Sequence, residues 1–353
     1  MNKARTLLSR ERESAVLVVM LVITALFVAS AVGGRFFTAG NFQSMAVQVS
    51  EFGFLAIAMG LAMLTGGIDL SIVAAAALSS IVGATVLSGA IIPLDGTNSG
   101  LVMAVAVVAT LVTAVLCGTL NGLLIAKVSI PPILATLGTM ILFTGIGTVI
   151  TKGQSVPVKV PEFAQLAVVT VGGIPLIFLL TAVGFALVGL MLWKTRQGRR
   201  ITLFGENHVA LKFSGAKTER TIVITYAIIG LMVGVAAIIM LSRVNSARVG
   251  FGESYLLQAI LVVVLAGFNP YGGKGRIVNV AIALVLLQVL QSAFTMMQFT
   301  PFAKNLIWGA MLLFIMVLNT VLSKIRFAPR AVAPPPAAPP ASAAPLPAAG
   351  TGS

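Results

Sequence analysis

Long apolar runs, broken at intervals by a few polar or glycine-rich residues, recur along this 353-residue chain. They fall at about 15–33, 48–66, 69–91, 100–126, 132–151, 174–193, 221–242, 254–268, 277–297 and 304–322. A helix needs roughly 20 apolar residues to cross a ~30 Å hydrocarbon core. The pattern therefore predicts an all-α, polytopic transmembrane bundle of about ten spans. Between the fourth and fifth runs lies KVSIPP, where Pro131 and Pro132 break any continuous helix. The second and third runs meet at LTGGIDLS (64–71), with no room for a loop. The eighth run is short and open to a re-entrant reading.

Composition adds the solvent. Hydrophobic residues make up 58% of the chain and charged residues 9%, against about 25% charged in an ordinary soluble domain. The mean hydropathy is +1.06. The net charge of +14 is gathered in short loops, and no basic stripe with interleaved aromatics exists to follow nucleic acid. With ten spans, seventeen Lys and Arg residues fall on the side of both termini and six on the other, so the positive-inside rule places both termini in the cytoplasm. The first run exceeds a signal-peptide core and is read as an uncleaved helix. Residues 1–14 are then a cytoplasmic N-terminus and 15–327 the membrane domain. Residues 328–353, rich in Pro and Ala, form a tail too poor in large apolar residues to fold alone. Cys117 sits in an apolar run as a packing residue, and His208 is the only histidine, so no metal site is expected.

Two stretches stand out from this background. The first is GGID. Gly66 and Gly67 allow a sharp turn and close approach to a neighbouring helix, while Asp69 costs about 2.5–3.5 kcal/mol inside a bilayer unless paired or hydrated. Asp69 can cap a helix beginning at Leu70, line a pathway, or lie at the membrane surface. The second is KTRQGRRITLFGENHVALKFSGAKTER (194–220), the longest polar segment before the tail, with seven basic residues. Within it GENHVALKFSG opens on the turn glycine Gly205 and continues with helix formers, giving a short helix over about 203–215 that ends at a Gly215 C-cap. Its apolar side (Leu203, Phe204, Val209, Ala210 and Phe213) suits a groove on another protein, and its charge suits anionic lipid equally well. Elsewhere Asn121, Thr136, Thr139, Gln258 and Gln288 can hydrogen-bond a polyhydroxy substrate or a neighbouring helix. Asn98, Gln154 and 245–248 mark outer loops that a partner can meet. Only Glu51 and Asp69 are near candidates for an ion relay, which argues against an ion-coupled secondary carrier, and no nucleophile or His-Asp constellation suggests an intramembrane enzyme.

Taken in order, LTGGIDLS (64–71), GTLNGLLIAKVSIPPILATLGTM (118–140), KTRQGRRITLFGENHVALKFSGA (194–216) and LSRVNSARVGFG (241–252) followed by GGKG (272–275) resemble the permease subunits of bacterial ATP-binding-cassette importers for monosaccharides. That family includes the ribose, xylose, galactose and rhamnose systems and the autoinducer-2 importer. The resemblance covers about 15–322. The chain departs from it at Ile72–Val73, at YLLQ (255–258) and at LAGFNPYGG (265–273). No G-x-x-x-x-G-K-[ST] loop is present, so ATP belongs to a separate ATPase subunit and this chain carries no cofactor. The resemblance implies that the 194–220 loop is a coupling loop, with Gly205, Glu206, Asn207, Ala210, Ser214 and Gly215 matching its ATPase-docking motif. It also implies an extracytoplasmic sugar-binding protein, a second permease copy or paralogue, and a place in the bacterial inner membrane.

Overall fold

The computed structural model describes residues 2–94 and 98–326, with side chains from residue 14 to residue 318. The tail at 328–353 lies outside the described residues. The described residues up to 315 form one compact unit, and 316–326 are helical. The chain folds into helices α1 (Asn2–Val32), α2 (Ala39–Leu64), α3 (Ile72–Leu87), α4 (Ser99–Ala126), α5 (Pro132–Thr151), α6 (Pro161–Gln165), α7 (Leu176–Lys194), α8 (Arg196–Phe213), α9 (Thr218–Val244), α10 (Glu253–Leu265), α11 (Ile277–Met296) and α12 (Pro301–Arg326). Eight are long and apolar enough to cross a membrane; α3 and α10 are apolar but shorter.

The middle of the bundle is α2. From Val49 to Leu64 it is buried on every face, as expected of a helix that is apolar all round, and α7, α9, α10 and α11 surround it. The largest helix pairing joins α4 to α9. It is set by small residues: a Cβ at Gly118 would strike the Tyr226 carbonyl and Gly230, and one at Gly230 would strike Ala114. Such residues let two backbones approach closely where lipid offers no hydrophobic drive. In contrast, α1, α4, α5, α7 and α12 carry wide exposed apolar surfaces, including Leu26, Val108, Ile141, Leu187 and Leu313. Apolar outside with small and polar residues inside is the arrangement for a lipid solvent.

Both expected breaks are present. Lys127 follows α4, Ser129 adopts a left-handed conformation (φ 61°), and Pro132 opens α5 at a position where its missing N–H leaves no helical bond unmade. The third span is shorter than the apolar run suggests. Its helix has 16 residues, or about 24 Å, because Asp69 to Ser71 at one end of the run and Ser88 to Ile91 at the other are non-helical. Helix α10 has 13 residues, about 20 Å. Small elements not foreseen in the sequence lie beyond the other end of the bundle. Strands β1 (Val156–Pro157) and β4 (Ser246–Ala247) pair antiparallel, and β2 (Thr170–Val171) with β3 (Ile174–Pro175) makes a hairpin. Helix α6 is seated there by Phe163, whose carbonyl accepts a 2.8 Å bond from Ser242 Oγ.

Packing at Gly118 is testable. Gly118→Val is expected to destabilise the solubilised protein by about 1–3 kcal/mol through overpacking. Gly138→Ala, on an open helix face with nothing near the new Cβ, is expected to leave thermal unfolding within about 0.5 kcal/mol of wild type or slightly raised.

Candidate functional site

Helix α8 is built as an elbow. Thr195 caps it, its Oγ1 accepting from Gly198 N at 3.0 Å, and Gly198 is pressed against the end of α7. Ile201 is buried and Phe204 packs on the bundle core. The helix runs through Gly205 and breaks at Asn207, whose backbone is extended (φ −161°, ψ 95°). The Asn207 Oδ1 then accepts from Ala210 N at 2.9 Å and restarts the turn. Gly215, in the left-handed region (φ 80°), follows the last turn. Local sequence signals place this helix at about 203–215 with a turn at Gly205; it begins instead at Arg196 and breaks at Asn207. A glycine read as a turn is instead a point of contact.

That contact is with two other chain breaks. A Cβ on Gly205 would collide with the Leu64 carbonyl and the Gly273 amide, and Gly272 lies against both Gly205 and Gly66. Gly273 N donates to Leu64 O at 3.0 Å. Gly66 has φ +80° and Gly273 φ +75°, backbone states open to glycine at little cost. The C-terminal end of α2, the loop after α10 and the elbow α8 therefore meet at one glycine-rich junction.

A few residues further on, the same break is tied to α4 and α5. Ser71 donates to Asp69 Oδ1 twice, from its amide at 2.9 Å and its hydroxyl at 2.7 Å, and Asn121 Nδ2 donates to Ser71 Oγ at 2.7 Å. Thr136 Oγ1 accepts from Leu70 N at 3.1 Å and donates into the carbonyls of Pro132 and Ile68 at 2.9 and 3.2 Å. Thr139 adds a bond to the Thr136 carbonyl. Gly67 leaves no room for a side chain against Pro132. Asp69 is 1% exposed and holds the turn that precedes α3; the helix begins at Ile72 and not at Leu70, so the N-cap position falls on Ser71 and not on Asp69. Beside this knot a cavity of about 370 Å³ lies between α3, α5 and the turn before α10, lined by Leu70, Ala74, Leu78, Met140, Phe143 and Thr144 among others.

The family described as "branched-chain amino acid transport system / permease component" matches residues 41–316. The chain belongs to this permease family. It is 33% identical over 281 residues to the ribose import permease RbsC of Bacillus subtilis, covering 79% of this chain and 84% of that one. The Escherichia coli K12 RbsC is 31% identical over 301 residues, 84% and 90% of the two chains. The autoinducer 2 import system permease LsrD of Photorhabdus laumondii is 30% identical over 280 residues, 77% and 81%. No solved structure matches the chain.

In this permease the residues singled out in the sequence fall into two groups. Glu206, Asn207, Ala210, Ser214 and Gly215 are exposed along the elbow, together with Val209 and Phe213, while Gly205 is turned inward. Gly66, Gly67, Asp69, Asn121, Thr136 and Thr139 come together at the break. Gln258 is buried on α10 and takes no part in that network, and Gln288 donates instead to Gln48 Oε1 at 3.1 Å. Glu51 forms an ion pair with Arg243, joining α2 to α9. Ser71, Gly272 and Gly273 complete the site, and only GGKG hinted at the last two. Tyr226, fully buried on α9, brings its hydroxyl near Gly67, with no sequence signal to mark it.

Asp69→Ala strips Ser71 of two bonds and is expected to lower stability by about 1–3 kcal/mol. Asp69→Asn keeps the acceptor oxygen, and its cost is expected to be smaller. Thermal unfolding of the two variants in one detergent checks the order.

Proposed function

We propose that this permease forms the translocation pathway of an ATP-driven importer for a monosaccharide of the ribose type in the bacterial inner membrane. The observation that carries the reading is the two-sided elbow. Its outer side presents Glu206, Asn207, Val209, Ala210 and Phe213 to a partner, and its inner side is seated at Gly205 on the junction of α2 with the α10–α11 loop. An amphipathic helix laid into a groove is a common docking mode, and here any push on it meets the bundle at backbone, with no flexible side chain between. A separate ATPase subunit would supply that push and hold the ATP; the chain itself needs no cofactor.

The rest of the reading follows the charges and helices. Eight long apolar helices and two shorter ones give ten crossings, with both termini and α8 in the cytoplasm. The membrane domain is 15–327, and 328–353 is a cytoplasmic tail. An extracytoplasmic sugar-binding protein would meet the outer loops near Asn98, Gln154 and 245–248. A second permease copy or paralogue completes the pathway. Similar identity to LsrD keeps autoinducer-2 import as the second reading.

Co-purification with the ATPase encoded beside it tests the elbow. Ala210→Glu combined with Phe213→Glu is expected to weaken ATPase retention at least about 30-fold, the effect of losing a hot spot of roughly 2 kcal/mol, without shifting thermal unfolding. Unchanged retention removes α8 as the docking element. Uptake of labelled ribose against labelled autoinducer-2 by cells lacking their own importers separates the two substrates.

A further inference from the structure

A second cavity, about 440 Å³, opens where α8 meets the start of α9. Its lining includes Gln197, Arg200, Lys217, Arg220, Thr221 and Ile224. Among the described residues Arg200, Lys217 and Arg220 have no carboxylate within ion-pair distance, and Glu219, the acid nearest in sequence, is not in the wall. Three cations lining one open concavity, exposed and without a carboxylate partner among the described residues, make a patch that attracts anions. Gln197 Nε2 donates to the Thr221 carbonyl at 3.0 Å and pins α8 to α9 at the cavity's base, so the cations are held on two elements fixed to one another.

The depth of the cavity in the membrane can be read from its neighbours. Trp193, at the end of α7, is 76% exposed, with Lys194 Nζ 5.3 Å from its ring centre. An exposed Trp beside a Lys at the end of a transmembrane helix marks the headgroup level. Gln197 and Arg200 follow within two turns. On the other wall, Ile224 belongs to the apolar stretch of α9. The cavity is thus basic on its polar side and apolar where it meets the hydrocarbon. The exposed apolar face of the elbow, Val209 to Phe213, contributes nothing to its lining.

We propose that this cavity seats the phosphate of an anionic phospholipid from the cytoplasmic leaflet, gripped by Arg200 and Arg220 with Lys217 as a third charge. Two guanidinium groups can share phosphate oxygens in bidentate fashion, and basic pockets between transmembrane helices on the cytoplasmic side suit such headgroups. The inference rests on the cytoplasmic placement of α8 given above but not on the ATPase. A lipid held there would clamp the elbow to α9 from the membrane side, leaving its apolar face free.

Native mass spectrometry of the full chain in neutral detergent, titrated with phosphatidylglycerol or phosphatidylcholine, tests it. Wild type is expected to retain one phosphatidylglycerol and no phosphatidylcholine. Arg200→Gln with Arg220→Gln is expected to bind phosphatidylglycerol about 30-fold more weakly, the loss of two surface charges, with unaltered thermal unfolding. Equal binding by variant and wild type overturns the proposal. If the variant fails to fold, wild type decides alone: phosphatidylcholine binding as well as phosphatidylglycerol overturns it. Inorganic phosphate displacing the lipid at equal concentration reassigns the seat to soluble phosphate and overturns the lipid. ATPase retention lost in the variant while lipid binding is unchanged assigns the cations to the partner subunit instead and equally overturns it.

Discussion

A backbone N–H or C=O with no partner is costly in hydrocarbon, and irregular backbone survives at membrane depth only where protein or trapped water covers it. This permease leaves its helical ladder on the same side of the bundle twice, after α2 and after α10, and the helices adjoining those breaks, α3 and α10, are the two shorter apolar helices of the bundle. The two breaks satisfy each other. Leu64 O takes the Gly273 amide, Thr136 takes the Leu70 amide and Asp69 takes that of Ser71. What remains open is roofed by α8. Every glycine at the junction follows from that need, because two broken chains and a third element can share such a small volume only as bare backbone.

The same constraint explains why the elbow and the break belong to one mechanical unit. An element resting on long side chains would lose displacement to rotamer changes. Here Gly205 rests on the α2 carbonyl end, and α2 is the helix most deeply enclosed by the others. From the same break, Ser71–Asn121 and Leu70–Thr136 bonds lead to α4 and α5. Interiors packed this tightly transmit strain and do not absorb it.

Much of this was legible in the sequence, and the parts that were not share a cause. Hydropathy located the apolar helices, and local chemistry placed the break at GGID, the restart at Pro132 and the stop near Gly215. Family motifs drew attention to the elbow. Local signals misjudged Gly205, because a glycine needed for close approach reads the same as one needed for a turn, and nothing nearby reveals which backbone comes to meet it. They overextended the third span, since Leu70 before the helix and Ala90 and Ile91 after it are as apolar as the helix itself. Asn207 carried the actual break without a glycine or proline to announce it. Pairings across the chain, such as Ser71 with Asn121 or Gln48 with Gln288, need the fold before they can be read.

The ion pair between Glu51 and Arg243 has a bearing on how the protein is made. Its two halves are 192 positions apart, 243 less 51, and synthesis at about 5–20 residues per second separates them by roughly 10–40 s. Throughout that interval the helix destined for the centre of the bundle carries a carboxylate with no arginine to answer it. As a charged group it needs water or polar protein groups around it until then, and its ion pair closes only once the ninth helix has emerged.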